Sequence, residues 1–276
     1  MFFRIVLLAI VVFTVIPAQS PPPALPYELV PDWPKLPLGV NLLETPGVAV
    51  GPRQQVYIFH RGAQPIIEVG REGRFVRSMG EGLFEAAHGL KIDPEGNLWV
   101  TNRGLHIVLK LSPKGRVLMV MGRRGQSGES DDTFNGPTDV AFAPNGDFYV
   151  ADGYGNSRVA KFAKDGSFLT AWGKKGDGPG EFNLPHAVAV DAQGRVYVGD
   201  RETYRVQIFD ADGKFLDQWK HAGSPWGLHI TPQQEIFLAD GHNNRVLKLD
   251  IEGRVLGSLG KKGKRPGEFN FAHHLA

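Results

Sequence analysis

One stretch of this chain is written five times, and that repetition constrains the fold more than any other feature. The copies are PGVAVGPRQQVYIFHR from Pro46, AHGLKIDPEGNLWVTNR from Ala87, PTDVAFAPNGDFYVADG from Pro137, PHAVAVDAQGRVYVGDR from Pro185 and PWGLHITPQQEIFLADG from Pro225. Each opens with an alternating apolar run such as residues 187–190, turns at a polar Gly-containing step such as Gln193-Gly194, and continues in a second run such as residues 196–198. That is the pattern of a hairpin. A third run follows at residues 205–209, then an Asp/Gly turn at Asp212-Gly213 and a fourth run at residues 215–219. Four short antiparallel strands in a unit of about 40 to 50 residues predict the blade of an all-β propeller.

A sixth unit opens at Asn270 and breaks off within its first strand, so the expected architecture is a six-bladed β-propeller whose sixth blade is truncated at the C-terminus. Residues 27–43 are a candidate outer strand for ring closure. The chain divides into a signal segment (1–20), a Pro-rich spacer (21–26) and the propeller (27–276). Arg4, the apolar stretch 5–16 and the small residues Ala18 and Ser20 form the signal pattern. The stretch is shorter than the roughly 20 residues a membrane span needs. Export to the periplasm, cell envelope or exterior as a monomer is expected, with membrane attachment only if the segment stays uncleaved.

Composition removes several alternatives. The 35 glycines and 20 prolines punctuate the apolar runs and are read as turns, not as a low-complexity tract. With no cysteine, disulfides and thiolate metal sites are excluded, and any metal must be held by His, Asp or Glu. A formal charge of +2 argues against nucleic acid as partner. The basic pairs Arg123-Arg124, Lys174-Lys175 and Lys261-Lys262 fall in equivalent loops interrupted by acids, so repetition accounts for them.

The element Asp-x-x-Asn-x-Arg-Val at residues 240–246, with looser forms at 152–159 and 200–206, resembles the NHL repeat family. Arg158, Arg205 and Arg245 recur at one repeat position and are read as structural. Aligning the units on the residue that opens the innermost strand gives Gly47, His88, Thr138, His186, Trp226 and His273. Any one of these histidines, taken alone, is an ordinary hydrogen-bonded wall residue. On alternate blades of a six-membered ring, however, three imidazoles would meet at one height on the axis and form a metal site suited to zinc, with one coordination position open. His106, His221, His229 and His242 fall elsewhere and are expected at the surface or an edge.

A narrower resemblance rests on Phe59-His60-Arg61-Gly62, Ala87-His88-Gly89-Leu90, Pro137-Thr138-Asp139-Val140, residues 152–158, Pro185-His186 and Asp200-Arg201-Glu202. Together these are similar to the peptidyl-α-hydroxyglycine α-amidating lyases. The resemblance implies Zn2+ held by His88, His186 and His273, with Tyr154, Arg61 and Arg201 around it as catalytic groups. It also implies cleavage of the C–N bond of a peptidyl-α-hydroxyglycine to a peptide amide and glyoxylate. Tyr154 would be the base, and the two guanidinium forks would hold a carboxylate. A structural Ca2+ in the channel belongs to the same pattern, but His274 stands where vertebrate members have a calcium-binding aspartate. The alternative is a non-catalytic propeller that binds a peptide, glycan or protein.

Overall fold

The computed structural model describes residues 21–276; the signal segment expected over 1–20 lies outside them. Twenty strands form five antiparallel sheets of four. Blade 1 contains β1 to β4 (Gly47–Val50, Val56–Phe59, Ile66–Val69, Phe75–Met79) and blade 2 contains β5 to β8 (Ala87–Ile92, Leu98–Asn102, Ile107–Leu111, Val117–Met121). Blade 3 contains β9 to β12 (Pro137–Phe142, Phe148–Asp152, Arg158–Phe162, Phe168–Trp172). Blade 4 contains β13 to β16 (Pro185–Val190, Val196–Asp200, Arg205–Phe209, Phe215–Trp219) and blade 5 contains β17 to β20 (Pro225–Ile230, Ile236–Asp240, Arg245–Leu249, Val255–Leu259). Among the described residues the only helix is one 3-10 turn at Arg201–Thr203.

Burial follows radial position. The second strands of blades 2, 3 and 4 are buried at every residue because each blade is covered on both faces by its neighbours. The outermost strands, such as Phe168–Trp172, are only partly covered. Four apolar clusters fill the four blade-to-blade interfaces, for example Tyr57, Phe59 and Ile66 against Leu90, Leu98 and Val100 between blades 1 and 2.

The recurring aspartate explains how each blade is tied. Asp200 accepts hydrogen bonds from the amides of Asn183 and Leu184 and pairs with Arg205, whose guanidinium reaches on to the carbonyls of Asp177 and Glu181. One carboxylate thus fastens the incoming loop to the second and third strands. Asp152–Arg158 and Asp240–Arg245 repeat the arrangement. In blades 1 and 2 neutral side chains stand at this place: His60 accepts from the amide of Gly62, and Asn102 from that of Ala86. Between blades, the turn glycines Gly213 and Gly253 (φ +87° and +85°) lie against Trp172 and Trp219, and a Cβ on either would come 2.4 Å from the indole.

The sixth blade expected from the sequence is not formed: the described residues make five sheets, and residues 270–276 carry no strand. Seven residues cannot supply four strands. They run beside blade 5, where a Cβ on Gly227 would come 2.7 Å from the carbonyl of His273. Nor do residues 27–43 add an outer strand. Instead Ala24 bridges Ser258 of blade 5, Lys35 bridges Arg74 of blade 1, and Trp33, Leu36, Val40 and Leu42 cover Ile58, Ile67 and Val69 of blade 1. The N-terminal segment is a strap joining the first and last blades.

Candidate functional site

The histidines reach the axis through a defect in the inner strands. In blade 4 the pairing of β13 with β14 runs Pro185 to Asp200 and then Ala187 to Gly199, so His186 is an extra residue with no partner. Trp226 is skipped in the same way in blade 5, Thr138 in blade 3, and His88 with Gly89 in blade 2. A β-bulge kinks the strand and re-aims the side chain of the extra residue. Blades 2 to 5 therefore each offer a side chain to the channel, two of them imidazoles, whereas blade 1 pairs without a bulge and carries Gly47 at this place.

His88, His186 and His273 meet. Their ring centroids are 4.7, 4.8 and 5.0 Å apart, close to an equilateral triangle, and their ligand atoms all lie within 4.8 Å of one another. Each Nδ1 faces a backbone carbonyl of the next position round the ring: Thr138 for His88 (2.7 Å), Trp226 for His186 (2.7 Å) and Pro46 for His273 (2.9 Å). A carbonyl only accepts, so each Nδ1 carries the proton and each Nε2 presents a lone pair to the axis. Burial, helped by the neighbouring imidazoles, holds His88 and His186 well below the usual histidine range; His273, buried and next to His274, falls to about 3. Three neutral imidazoles with oriented lone pairs can hold a metal ion.

Tyr154, Arg61 and Arg201 gather above this triangle. The Tyr154 hydroxyl is 3.2 Å from Nε2 of His88 and 3.5 Å from both Nε2 of His186 and a terminal nitrogen of Arg201. Arg201 sits in the 3-10 turn that follows β14, pairs with Glu202 and lies 4.6 Å from the Trp226 ring. Arg61 hydrogen-bonds the carbonyl of Ala87 and pairs with Glu44. All three line the open mouth of a cavity of about 440 Å³, together with His273, Trp226 and Phe271.

Sequence reasoning missed Arg103, which lines the same mouth 4.5 Å from the Tyr154 ring. The signal was present: the residue after the clamp position reads Arg61, Arg103, Gly153, Arg201 and Gly241 across the five blades. His229 and His242, expected at the surface or an edge, are half-buried. His242 packs edge-on to Trp226, while burial and the nearby Lys91 charge bring His229 down to about 4.

One residue further along the inner strands lies a second buried layer. Asp139 is 3.6 Å from Lys91 Nζ and 3.6 Å from His274 Nε2, and Lys91 donates to the carbonyl of Leu228. Calcium takes six to eight oxygen ligands. An ammonium and an imidazole beside one carboxylate do not provide them, so this donor set does not fit the Ca2+ that the resemblance implied.

Sheets, repeats and channel define the chain as an NHL-repeat β-propeller with a three-histidine centre; the NHL repeat family matches residues 134–162 and 182–209. Its sequence resembles the peptidyl-α-hydroxyglycine α-amidating lyases. It is 39% identical over 225 residues to peptidyl-glycine alpha-amidating monooxygenase A of Xenopus laevis, covering 69% of this chain and 24% of that one. It is 40% identical over 172 residues to a probable peptidyl-alpha-hydroxyglycine alpha-amidating lyase of Caenorhabditis elegans, covering 61% and 48% respectively. The chain thus spans about a quarter of the first relative's length and about half of the second's. Among solved structures, virginiamycin B lyase from Staphylococcus aureus with quinupristin shares the fold at a TM-score of 0.62 and 16% identity, covering 87% of this chain and 76% of that one.

Proposed function

We propose that this chain is a zinc-dependent carbon–nitrogen lyase that cleaves a peptidyl-α-hydroxyglycine, or a related hydroxylated amide, to an amide and glyoxylate. The observation that carries the reading is the convergence of three Nε2 lone pairs beneath the Tyr154 hydroxyl, with guanidinium groups lining the cavity mouth beside them. His88, His186 and His273 would hold the zinc, a fit supported by the carbonyl that each Nδ1 faces and by the ligand atoms lying within 4.8 Å of one another. Zinc would supply Lewis-acid stabilisation of developing negative charge.

The side chains account for the remaining steps. Arg201 and Arg61 bind the carboxylate of the hydroxyglycine, fixing the carbinol carbon beside Tyr154. Tyr154 in its phenolate form takes the hydroxyl proton. The freed electron pair becomes the aldehyde C=O as the C–N bond breaks, and the C–N pair leaves with the amide nitrogen. Tyr154 then returns the proton to that nitrogen, so one amide and one glyoxylate leave and the phenolate is restored. Trp226 and Phe271, stacked 5.5 Å apart, shield one side of the mouth from water.

Two finer readings belong with this one. Residues 270–276 occupy the place of an inner strand of a sixth blade, supported by the His273 Nδ1 bond to Pro46, which repeats the bonds made by His88 and His186. The segment 1–20 directs export, which N-terminal sequencing of the mature protein would check. For the activity, the test is metal analysis together with glyoxylate release from an N-acyl-α-hydroxyglycine. About one zinc per chain and chelator-sensitive release are expected. Metal-free protein that stays inert after zinc is added would refute the reading.

A further inference from the structure

The three arginines of the mouth differ in one respect: two are paired and one is not. Arg61 pairs with Glu44 and Arg201 with Glu202. Among the described residues, the Arg103 guanidinium forms no ion pair and no side-chain hydrogen bond; its recorded contact is the Tyr154 ring. All three occupy one repeat position, one residue past His60, Asn102 or Asp200 at the end of the second run of blades 1, 2 and 4. In blades 3 and 5 that position is Gly153 or Gly241, where a Cβ would come 2.1 Å from the carbonyl of Pro185 or 2.4 Å from the Trp226 ring. A side chain is therefore admitted at this position only in some blades, and each time it is a guanidinium.

A hydroxyglycine carries one carboxylate, and Arg61 with Arg201 suffice to hold it. Arg103 is a surplus cation at the same mouth, with five N–H donors and no acceptor of its own. We infer that Arg103 is a specificity-determining residue that receives a second anionic group of the substrate, the acidic side chain of the residue preceding the hydroxyglycine. The preferred substrate class is then an acyl-Glu or acyl-Asp hydroxyglycine, a dianion. The inference takes its substrate from the lyase reading, but its tests separate from that reading.

The first test needs no turnover. N-acetyl-glutamylglycine and N-acetyl-glutaminylglycine, which lack the carbinol and cannot be cleaved, are titrated calorimetrically into the full-length zinc-loaded protein and into Arg103→Gln. One charge-assisted hydrogen bond corresponds to an affinity advantage of about tenfold for the acidic peptide. That advantage should disappear in the variant and fall with added salt, while the glutaminyl peptide binds both proteins within about twofold. Equal binding of the two peptides to the unsubstituted protein would overturn the inference.

The second test uses the matching hydroxyglycines. Arg103→Gln should raise KM for the glutamyl substrate about tenfold, with kcat little changed and the glutaminyl substrate unaffected. Equal losses on both substrates would show that Arg103 only positions Tyr154, and the specificity role would be withdrawn. Peptide discrimination without glyoxylate release would refute the lyase reading and leave the anion site standing. Glyoxylate release at one rate from both substrates would do the reverse.

Discussion

The Tyr154 phenolic oxygen stands 3.2 Å from Nε2 of His88, whose Nδ1 is committed to the carbonyl of Thr138. His186 is arranged alike, with Nε2 3.5 Å from the same oxygen and Nδ1 on Trp226. One hydroxyl can donate to only one lone pair. The site therefore holds more inward lone pairs than protons, which suits a Lewis acid, and the role proposed for Tyr154 beside it is to move protons.

Tyr154→Phe removes that group and leaves the three imidazoles in place. Zinc content should stay near that of the unsubstituted protein, while glyoxylate release falls by about a hundredfold to ten-thousandfold, the usual range for a general acid–base group. Metal analysis beside a glyoxylate assay reads both. Parallel loss of zinc would mean that Tyr154 is structural.

Removal of residues 270–276 takes away His273 but none of the twenty strands. The shortened chain should keep its far-ultraviolet circular dichroism and lose bound zinc, as should His186→Ala. Undiminished zinc in the shortened chain would place the metal elsewhere.

His229 gives the apo protein a pH dependence of known sign. Its pKa is about 4 when folded against 6.5 as the ordinary value, so between these pH values the unfolded chain binds a proton that the folded chain refuses. Stability should therefore fall as pH drops from about 6.5 toward 4, at up to about 1.4 kcal/mol per pH unit for this one group. Urea midpoints across that range should decline less steeply for His229→Gln than for the unsubstituted protein.

The aspartate–arginine clamps rank by burial. Arg205 and Asp200 have side-chain exposures of 2% and 0%, whereas Arg245, paired with the equally buried Asp240, is 32% exposed. Arg205→Met leaves a carboxylate buried without its partner, a loss of about 3 to 5 kcal/mol. Arg245→Met should cost clearly less, because water reaches that pair. Urea unfolding of both variants checks the order.

Trp33 lets the strap be tested apart from the site. It packs on Gly73 and donates from its indole nitrogen to the carbonyl of Arg71, holding the segment against Ile58, Ile67 and Val69. Trp33→Ala should lower stability by about 2 kcal/mol through the apolar area it uncovers. Zinc content should be unchanged, since Trp33 packs on Gly73 and the apolar residues of blade 1, not on the three imidazoles.

The repeat, its four strands and the alternate-blade histidines were legible in the sequence because they depend on local periodicity, and every copy of the unit obeys the same alternation. The Asp200–Arg205 clamp was visible as a recurring element for the same reason. What only the tertiary structure decided was direction and company. Strand alternation alone does not reveal that His186 is a bulged residue turned to the axis, because the extra residue shows only when β13 is laid against β14. Nor could spacing separate Arg103 from an ordinary loop arginine, or show that a strap and a seven-residue segment, not a sixth sheet, stand between blades 5 and 1. Those outcomes depend on contacts between residues far apart in the chain, and local periodicity carries no information about them.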